Sequence, residues 1–529
     1  MPRSANALRT ARIILIVAAS LLWTASGHAW AQSRCADLAT LRLKDTTLST
    51  AEIPRGFHYP NSAFSMEERV TPSRGFCRVQ GVIEGRTRFE IWLPERAAWN
   101  GRLQGVGGGG MAGDVPFPAL ALALEAGFAA VGSDLGHHSG FTDADWAIGH
   151  PERVRDWGHR ATHEMTVRAK ALVQAYYGRP PRWSYFTGCS GGGRQGLMEA
   201  QRYPDDYDGI LAGDPTINFT RLTTAGRLWM QLAMFREAGG AGYVPAAKIT
   251  HLAARVLQDC DLLDGVADGV LEDPRRCRFD PAQMICAGSD RDDCLTAPQA
   301  AAIRKVYAGA ADSKGRPLFP GYEPGGELGR NGWRTYLSGP APFGAMQWVY
   351  ATGFLRGMAF EDRAYEPSTF DFDRDIARIE AKELGGETLA QAINAIDPDL
   401  SAFRARGGKL IHYHGWSDAG VAPRSSIAYY ESVVARGGQA AADGFYRLFM
   451  VPGLQHCIGG PGATSFDFLA PLQMWVEQGR RPERVTASRI EDGKVVRTRP
   501  LCAYPKQAVW RGSGSTDQAA NFLCKAPPS

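Results

Sequence analysis

The sequence predicts an α/β fold, a doubly wound, mostly parallel sheet interrupted by a large inserted lid. Three observations predict it. Short apolar strand patterns alternate with helical ones over residues 87–212, the same alternation returns over 409–478, and between the two blocks it is lost.

In the first block, 87–93 largely alternates, with Phe89, Ile91 and Leu93 on one strand face, and 102–106 is a second strand running into Gly107, Gly108, Gly109 and Gly110. Four consecutive glycines do not form core helix. A helix over 119–125, a buried strand over 129–133 and a long amphipathic helix over 159–177 follow. Next come a strand at 183–186, a glycine-rich turn, a helix at 195–202 and a strand at 209–212 that ends at Asp214 and Pro215. The second block reads strand 409–413, helix 425–435, strand 446–451 and helix 466–478. The division this implies is a catalytic domain over 32–216 and 405–529, with 217–404 inserted as the lid. The insert is cysteine-bearing and aromatic, with Trp333, Tyr336, Phe343, Trp348, Tyr350 and Phe354 close together.

The 529-residue chain is 44% hydrophobic and 22% charged, which is ordinary globular composition. Its start is basic, an apolar run covers 13–23, and Ala29 and Ala31 flank Trp30, the layout of a secretory signal peptide cleaved after Ala31. The run is too short to span a bilayer, so the mature protein is expected to be soluble, secreted or periplasmic. Without Arg3, Arg9 and Arg12 the net charge falls from +4 to +1, which gives no reason to expect a nucleic-acid partner. All ten cysteines lie beyond the cleavage point, an even number suited to an oxidising compartment. Spacing does not fix their connectivity, although Cys260 with Cys277, Cys286 with Cys294 and Cys502 with Cys524 are the nearest pairs.

Gly188-Cys189-Ser190-Gly191-Gly192 fits G-x-S-x-G between a predicted strand and a predicted helix. Small neighbours let the chain double back so that a serine hydroxyl projects from the strand end. Such a serine needs a base and a carboxylate to orient it. His456 follows the strand that ends at Val451, and Asp418 follows the strand that ends near Tyr413, so the order Ser, Asp, His is that of an α/β-hydrolase fold. Asp214, at another strand end, is the alternative carboxylate. The backbone amide of Gly191 and one from the glycine run, Gly109 or Gly110, would stabilise an oxyanion. His412 and His414 share one strand face, and without further ligands at metal spacing they read as packing or hydrogen bonding. If Ser190 and His456 meet, Cys189 and Cys457 are brought together and should bond. In the insert, Asp261, Asp264 and Asp268 alternate with Gly265 and Gly269, hard oxygen donors on a turning loop that suits calcium.

These pieces together resemble the tannase and feruloyl esterase family, which includes mono(2-hydroxyethyl) terephthalate hydrolases. The carrying segments are 188–194, 156–170, 260–270, His456-Cys457 and 499–505. The resemblance implies Ser190, Asp418 and His456 as triad, and a Cys189–Cys457 bridge. It also implies Cys35 bonded to Cys77 beside the three close pairs, and a lid calcium held by Asp261, Asp264, Asp268 and the carbonyls of Val266 and Val270. Its substrates would be small esters of aromatic acids, turned over without an organic cofactor or an obligate protein partner. Trp348, Phe354 and Arg356 would form an aromatic slot with a carboxylate-binding arginine. The readings from other classes are a catalytically silent module binding phenolics or carbohydrate, and an amidase or peptidase on the same scaffold.

Overall fold

The computed structural model describes residues 33–60 and 69–527. The segment expected to be a signal peptide, 1–31, lies outside them. A nine-stranded sheet forms the centre: β1 (Thr46–Ile53), β2 (Phe76–Ile83), β3 (Thr87–Pro94), β4 (Arg102–Val106), β5 (Ala129–Ser133), β6 (Trp183–Cys189), β7 (Gly209–Gly213), β8 (Lys409–Gly415) and β9 (Tyr446–Val451). Their order across the sheet is β1-β2-β3-β5-β4-β6-β7-β8-β9. From β5 to β9 every pairing is parallel. The β1–β2–β3–β5 end is antiparallel.

The two outermost strands of that end were not read from sequence, and β1 shows why. Its TTLSTAEI run is exposed or half-buried throughout, so it has no buried face to impose an apolar period. Central strands behave oppositely: β5 and β9 are buried at every residue, because helices cover both faces of a parallel sheet.

On one face α2 (Ala161–Tyr177), α3 (Gly191–Arg202) and α4 (Arg424–Gly437) pack Leu172, Val173, Leu197, Ile427 and Val433 against Leu103, Val131, Phe186, Ile210 and Leu410. On the other, α1 (Phe117–Glu125) and α5 (Leu469–Gln478) pack Leu120, Leu124, Leu472 and Trp475 against Trp92, Ala130, Tyr185, Ile411 and Phe449. The chain between β7 and β8 carries helices such as Ala246–Cys260 and Ala297–Ala308 and one short ribbon, Ala310–Ala311 with Pro317–Phe319. Its core is continuous with Met111, Trp146, Val154 and Trp157 of the catalytic part, so the insert sits over the ends of β4 to β7. Two further ribbons, Arg484–Glu491 with Lys494–Cys502 and Gln507–Trp510 with Phe522–Lys525, close the C-terminal part. Among the described residues no helix is long and apolar enough to cross a membrane.

The strand order reverses between β4 and β6, and crevices at such reversals, at the carboxyl ends of parallel strands, are where open α/β sheets place their sites. Every candidate residue of the catalytic part lies there: the glycine run after β4, Ser190 after β6, Asp214 after β7, Asp418 after β8 and His456 after β9.

Candidate active site

Ser190 joins β6 directly to α3 with φ 62° and ψ −117°, a region that side chains rarely occupy. The Ser190 amide donates to the Gly213 carbonyl at 2.9 Å, which fixes the turn against β7. The glycines around it are demanded by contact. A Cβ on Gly188 would lie 2.6 Å from the carbonyl carbon of Gly192, and one on Gly193 only 2.4 Å from the Gly213 oxygen.

His456 reaches back from the β9 loop, with Nε2 2.9 Å from Ser190 Oγ and Nδ1 2.7 Å from Asp418 Oδ2. Asp418 Oδ1 accepts the amides of Gly420 at 2.7 Å and Val421 at 2.9 Å. Burial alone would raise the Asp418 pKa, but the charge of His456 and hydrogen bonds from His414 and His456 hold it well below the usual carboxylate range. A hydroxyl, an imidazole and a buried carboxylate so arranged can pass a proton from oxygen to nitrogen as the hydroxyl attacks an electrophile.

Asp214, the alternative carboxylate, does a different job. Its Oδ1 accepts the Gly415 amide at 2.7 Å and its Oδ2 the Cys457 amide at 2.8 Å, so it ties the end of β8 to the residue after His456. Burial pushes its pKa up to about 6.

The disulfide Cys189–Cys457 joins the residues beside Ser190 and His456, with Cα atoms 6.0 Å apart. The other four bonds are Cys35–Cys77, Cys260–Cys277, Cys286–Cys294 and Cys502–Cys524. In the glycine run, Gly107 packs so closely that its Cβ would meet Gly192 Cα at 2.5 Å. The Gly109 carbonyl accepts the Ala112 amide at 3.2 Å. Gly110, at φ 59°, places its amide nitrogen 3.3 Å from where a Gly191 side chain would begin. Gly110 is thus a glycine of the run whose backbone packs directly beside Gly191.

The insert covers this crevice, leaving Ser190 and His456 each 4% exposed. Tyr336 stands edge-on to His456 at 6.0 Å, and the Tyr350 hydroxyl approaches Gly110. The slot read from Trp348, Phe354 and Arg356 is not what the structure builds. Phe354 is fully buried against Phe219, Trp348 packs on Phe343, and the Arg356 guanidinium donates to the Tyr365 carbonyl at 2.9 Å and faces Glu366. Arg356 lies in the wide turns over Phe354–Ala359. Sequence reasoning missed Arg227, in the segment Leu222–Trp229. It is 3% exposed, its guanidinium lies 4.2 Å over the Tyr350 ring, and Nη2 reaches the Gly420 carbonyl only at 3.5 Å. Its Nε and Nη1 have no partner among the described residues.

In the acidic loop, Asp264, Val266, Asp268 and Val270 line a cavity of about 20 Å³ with Glu272, Arg497 and Arg499. The Asp261 carboxylate accepts the amides of Asp268, Gly269 and Val270 from the same loop. Burial, with the neighbouring charges of Asp268 and Asp261, pushes Asp264 up to about 6. Burial, with Asp264 and Asp268 adding to it, pushes Glu272 up to about 8. Clustered, partly desolvated carboxyls of this kind fit a hard divalent cation. Arg497 and Arg499 already pair with Asp268 and share that charge. Glu272, not singled out from sequence, belongs to the same cluster.

The sheet and the strand–serine–helix turn define an α/β hydrolase. Residues 72–525 match the model of the tannase and feruloyl esterase family, and the chain belongs to that family. It is 39% identical to an uncharacterized esterase of Xanthomonas campestris over 99% of this chain and 96% of that protein. It is 36% identical to the mono(2-hydroxyethyl) terephthalate hydrolase of Piscinibacter sakaiensis over 85% of each. The crystal structure of feruloyl esterase B from Aspergillus oryzae superposes with a TM-score of 0.81 at 29% identity, covering 92% of this chain and 98% of that one.

Replacing Cys189 and Cys457 together by alanine removes a crosslink across 268 residues, worth at most about 6 kcal/mol in the chain-entropy description. Calorimetry of the double variant should give a lower Tm. Its kcat should fall more than its KM rises, because the bond holds base to hydroxyl; an unchanged Tm and kcat would show that it holds neither.

Proposed function

We propose that this carboxylic ester hydrolase cleaves esters of aromatic acids through an acyl-enzyme on Ser190. Ser190 Oγ attacks the ester carbonyl while His456 Nε2 takes its proton. Asp418 steadies the imidazolium, and the amides of Gly191 and Gly110 receive the oxyanion. The alcohol leaves with the proton from His456, and water activated by the same nitrogen releases the acid. The observation that carries the reading is the Ser190–His456–Asp418 chain of 2.9 Å and 2.7 Å contacts at a positive-φ serine.

Relatives named for feruloyl esters and for mono(2-hydroxyethyl) terephthalate support an aromatic acyl group. Arg227 favours a substrate that also carries an anionic oxygen, since a buried guanidinium without a carboxylate is costly until a ligand supplies one. The lid loop would bind calcium through Asp261, Asp264, Asp268 and the carbonyls of Val266 and Val270. Bound there, calcium would supply charge neutralisation and loop rigidity and take no part in the reaction. The signal-peptide layout and five disulfides support export.

The test is acid release from methyl gallate, methyl ferulate and mono(2-hydroxyethyl) terephthalate. Turnover that disappears in Ser190→Ala is expected; turnover of amides alone would point to an amidase, and none at all to a binding module. Arg227→Met should raise Tm while lowering kcat/KM for the carboxylate-bearing terephthalate ester about tenfold or more. Equal losses on all three esters would remove Arg227 from substrate choice. Chelation should lower the Tm of the protein, calcium should restore it, and Asp264→Asn should abolish that response.

A further inference from the structure

Behind the carboxylate of the proposed triad lies a second chain of buried groups that the reaction as described does not use. His414 and His412 project from one face of β8, and both are fully buried. His414 Nε2 stands 3.2 Å from Asp418 Oδ2, the same oxygen that faces His456, and 3.1 Å from the Val421 carbonyl. His414 Nδ1 is 2.6 Å from Ser426 Oγ of α4. That hydroxyl is 2.8 Å from His412 Nε2, and His412 Nδ1 is 2.7 Å from the Tyr446 hydroxyl of β9.

Valence fixes the directions. Both neighbours of His414 Nε2 are acceptors, so that nitrogen carries a hydrogen. Ser426 owns one proton and touches two imidazole nitrogens, so it donates to one and accepts from the other. With His414 neutral, Tyr446 donates to His412, His412 to Ser426, Ser426 to His414 Nδ1, and His414 Nε2–H to Asp418. With His414 protonated on Nδ1 as well, the proton there donates to Ser426, whose hydroxyl turns to His412 Nε2, and the His412 proton moves to its other nitrogen. A single added proton therefore reverses the hydrogen bonds from Ser426 back to Tyr446.

We propose that His414 is a positioning residue of the active site: its Nε2–H holds Asp418 in line with His456, and Ser426, His412 and Tyr446 hold His414 in the tautomer that can do so. The inference rests on the serine-esterase reading above. The groups facing this chain are Asp418 and, 3.8 Å from His414 Nε2, Asp214, with His456 across Asp418 and Tyr429 and Tyr430 against Tyr446. Burial disfavours charge on His414, yet the Asp418 hydrogen bond and the charges of Asp214 and Asp418 outweigh it and raise its proton affinity. Burial, with His414 adding to it, keeps His412 neutral. As pH falls, the proton thus goes to His414, which then takes Asp418 as its own counter-ion and weakens the hold on His456.

The experiment is the kcat and KM of the full chain on 4-nitrophenyl acetate against pH, for wild type, Ser190→Ala, His414→Leu, His414→Gln, Ser426→Ala and Tyr446→Phe, with Tm recorded for each. Glutamine restores an N–H near the Nε2 position; leucine does not. Expected are a kcat loss of about a hundredfold in His414→Leu with KM little changed, most of it recovered in His414→Gln, and about tenfold in Ser426→Ala. On the acid side, the kcat/KM limb of wild type should be steeper than that of His414→Gln by about one proton, the one taken up by His414. If His414→Leu does not fold, Ser426→Ala and the acid limb of His414→Gln decide. Activity surviving in Ser190→Ala overturns the serine reading and this one with it. Activity lost in Ser190→Ala, with wild-type kcat and an unaltered acid limb in the His414 and Ser426 variants, overturns this inference alone.

Discussion

Ser190 holds a backbone conformation that costs a residue with a side chain about 1–3 kcal/mol, and the structure around it exists to keep it there. Gly188 and Gly193 have no room for a methyl group because β6, β7 and α3 converge on the turn. The amide of Ser190 is bonded to β7, and Cys189 is bonded covalently to the β9 loop. The strain is thus met by several independent supports. Each also brings parts together: the hydroxyl at the strand end and His456 within reach of it.

A second layer of the same logic lies in the buried acids. Asp214 and Asp418 both sit at strand ends with no exposure to solvent, yet their environments push them in opposite directions. Asp418 is surrounded by donors, two amides and two imidazoles, and stays charged. Asp214 has two amides and a more distant His414, and its charge is less well supported. Chain order alone made the two equivalent as partners for His456. The difference comes from what the folded chain brings to each of them.

The parts of this molecule that follow local rules were legible in its sequence. The parallel strands, the turn at Ser190 and the loop ends carrying Asp418 and His456 obey spacing and period, and the structure has them where those patterns put them. The antiparallel edge was not legible because β1 lacks a buried face. The pocket under the insert was not legible because Arg356 pairs with its own neighbourhood, the Tyr365 carbonyl, while Arg227, far away in sequence, is drawn in beside Tyr350. His412 and His414 were visible as a pair on one strand face. Their linking partner, Ser426, lies on a helix beyond the Asp418 loop, and no pattern within the strand points to it.

The Cys189–Cys457 bond has a topological consequence. It closes a covalent ring that contains the whole of the insert, β7, β8 and β9, with Ser190 and His456 just inside its two ends. A backbone cut anywhere in that ring leaves both pieces attached to one another at the reaction centre. A nicked insert would therefore loosen without being shed.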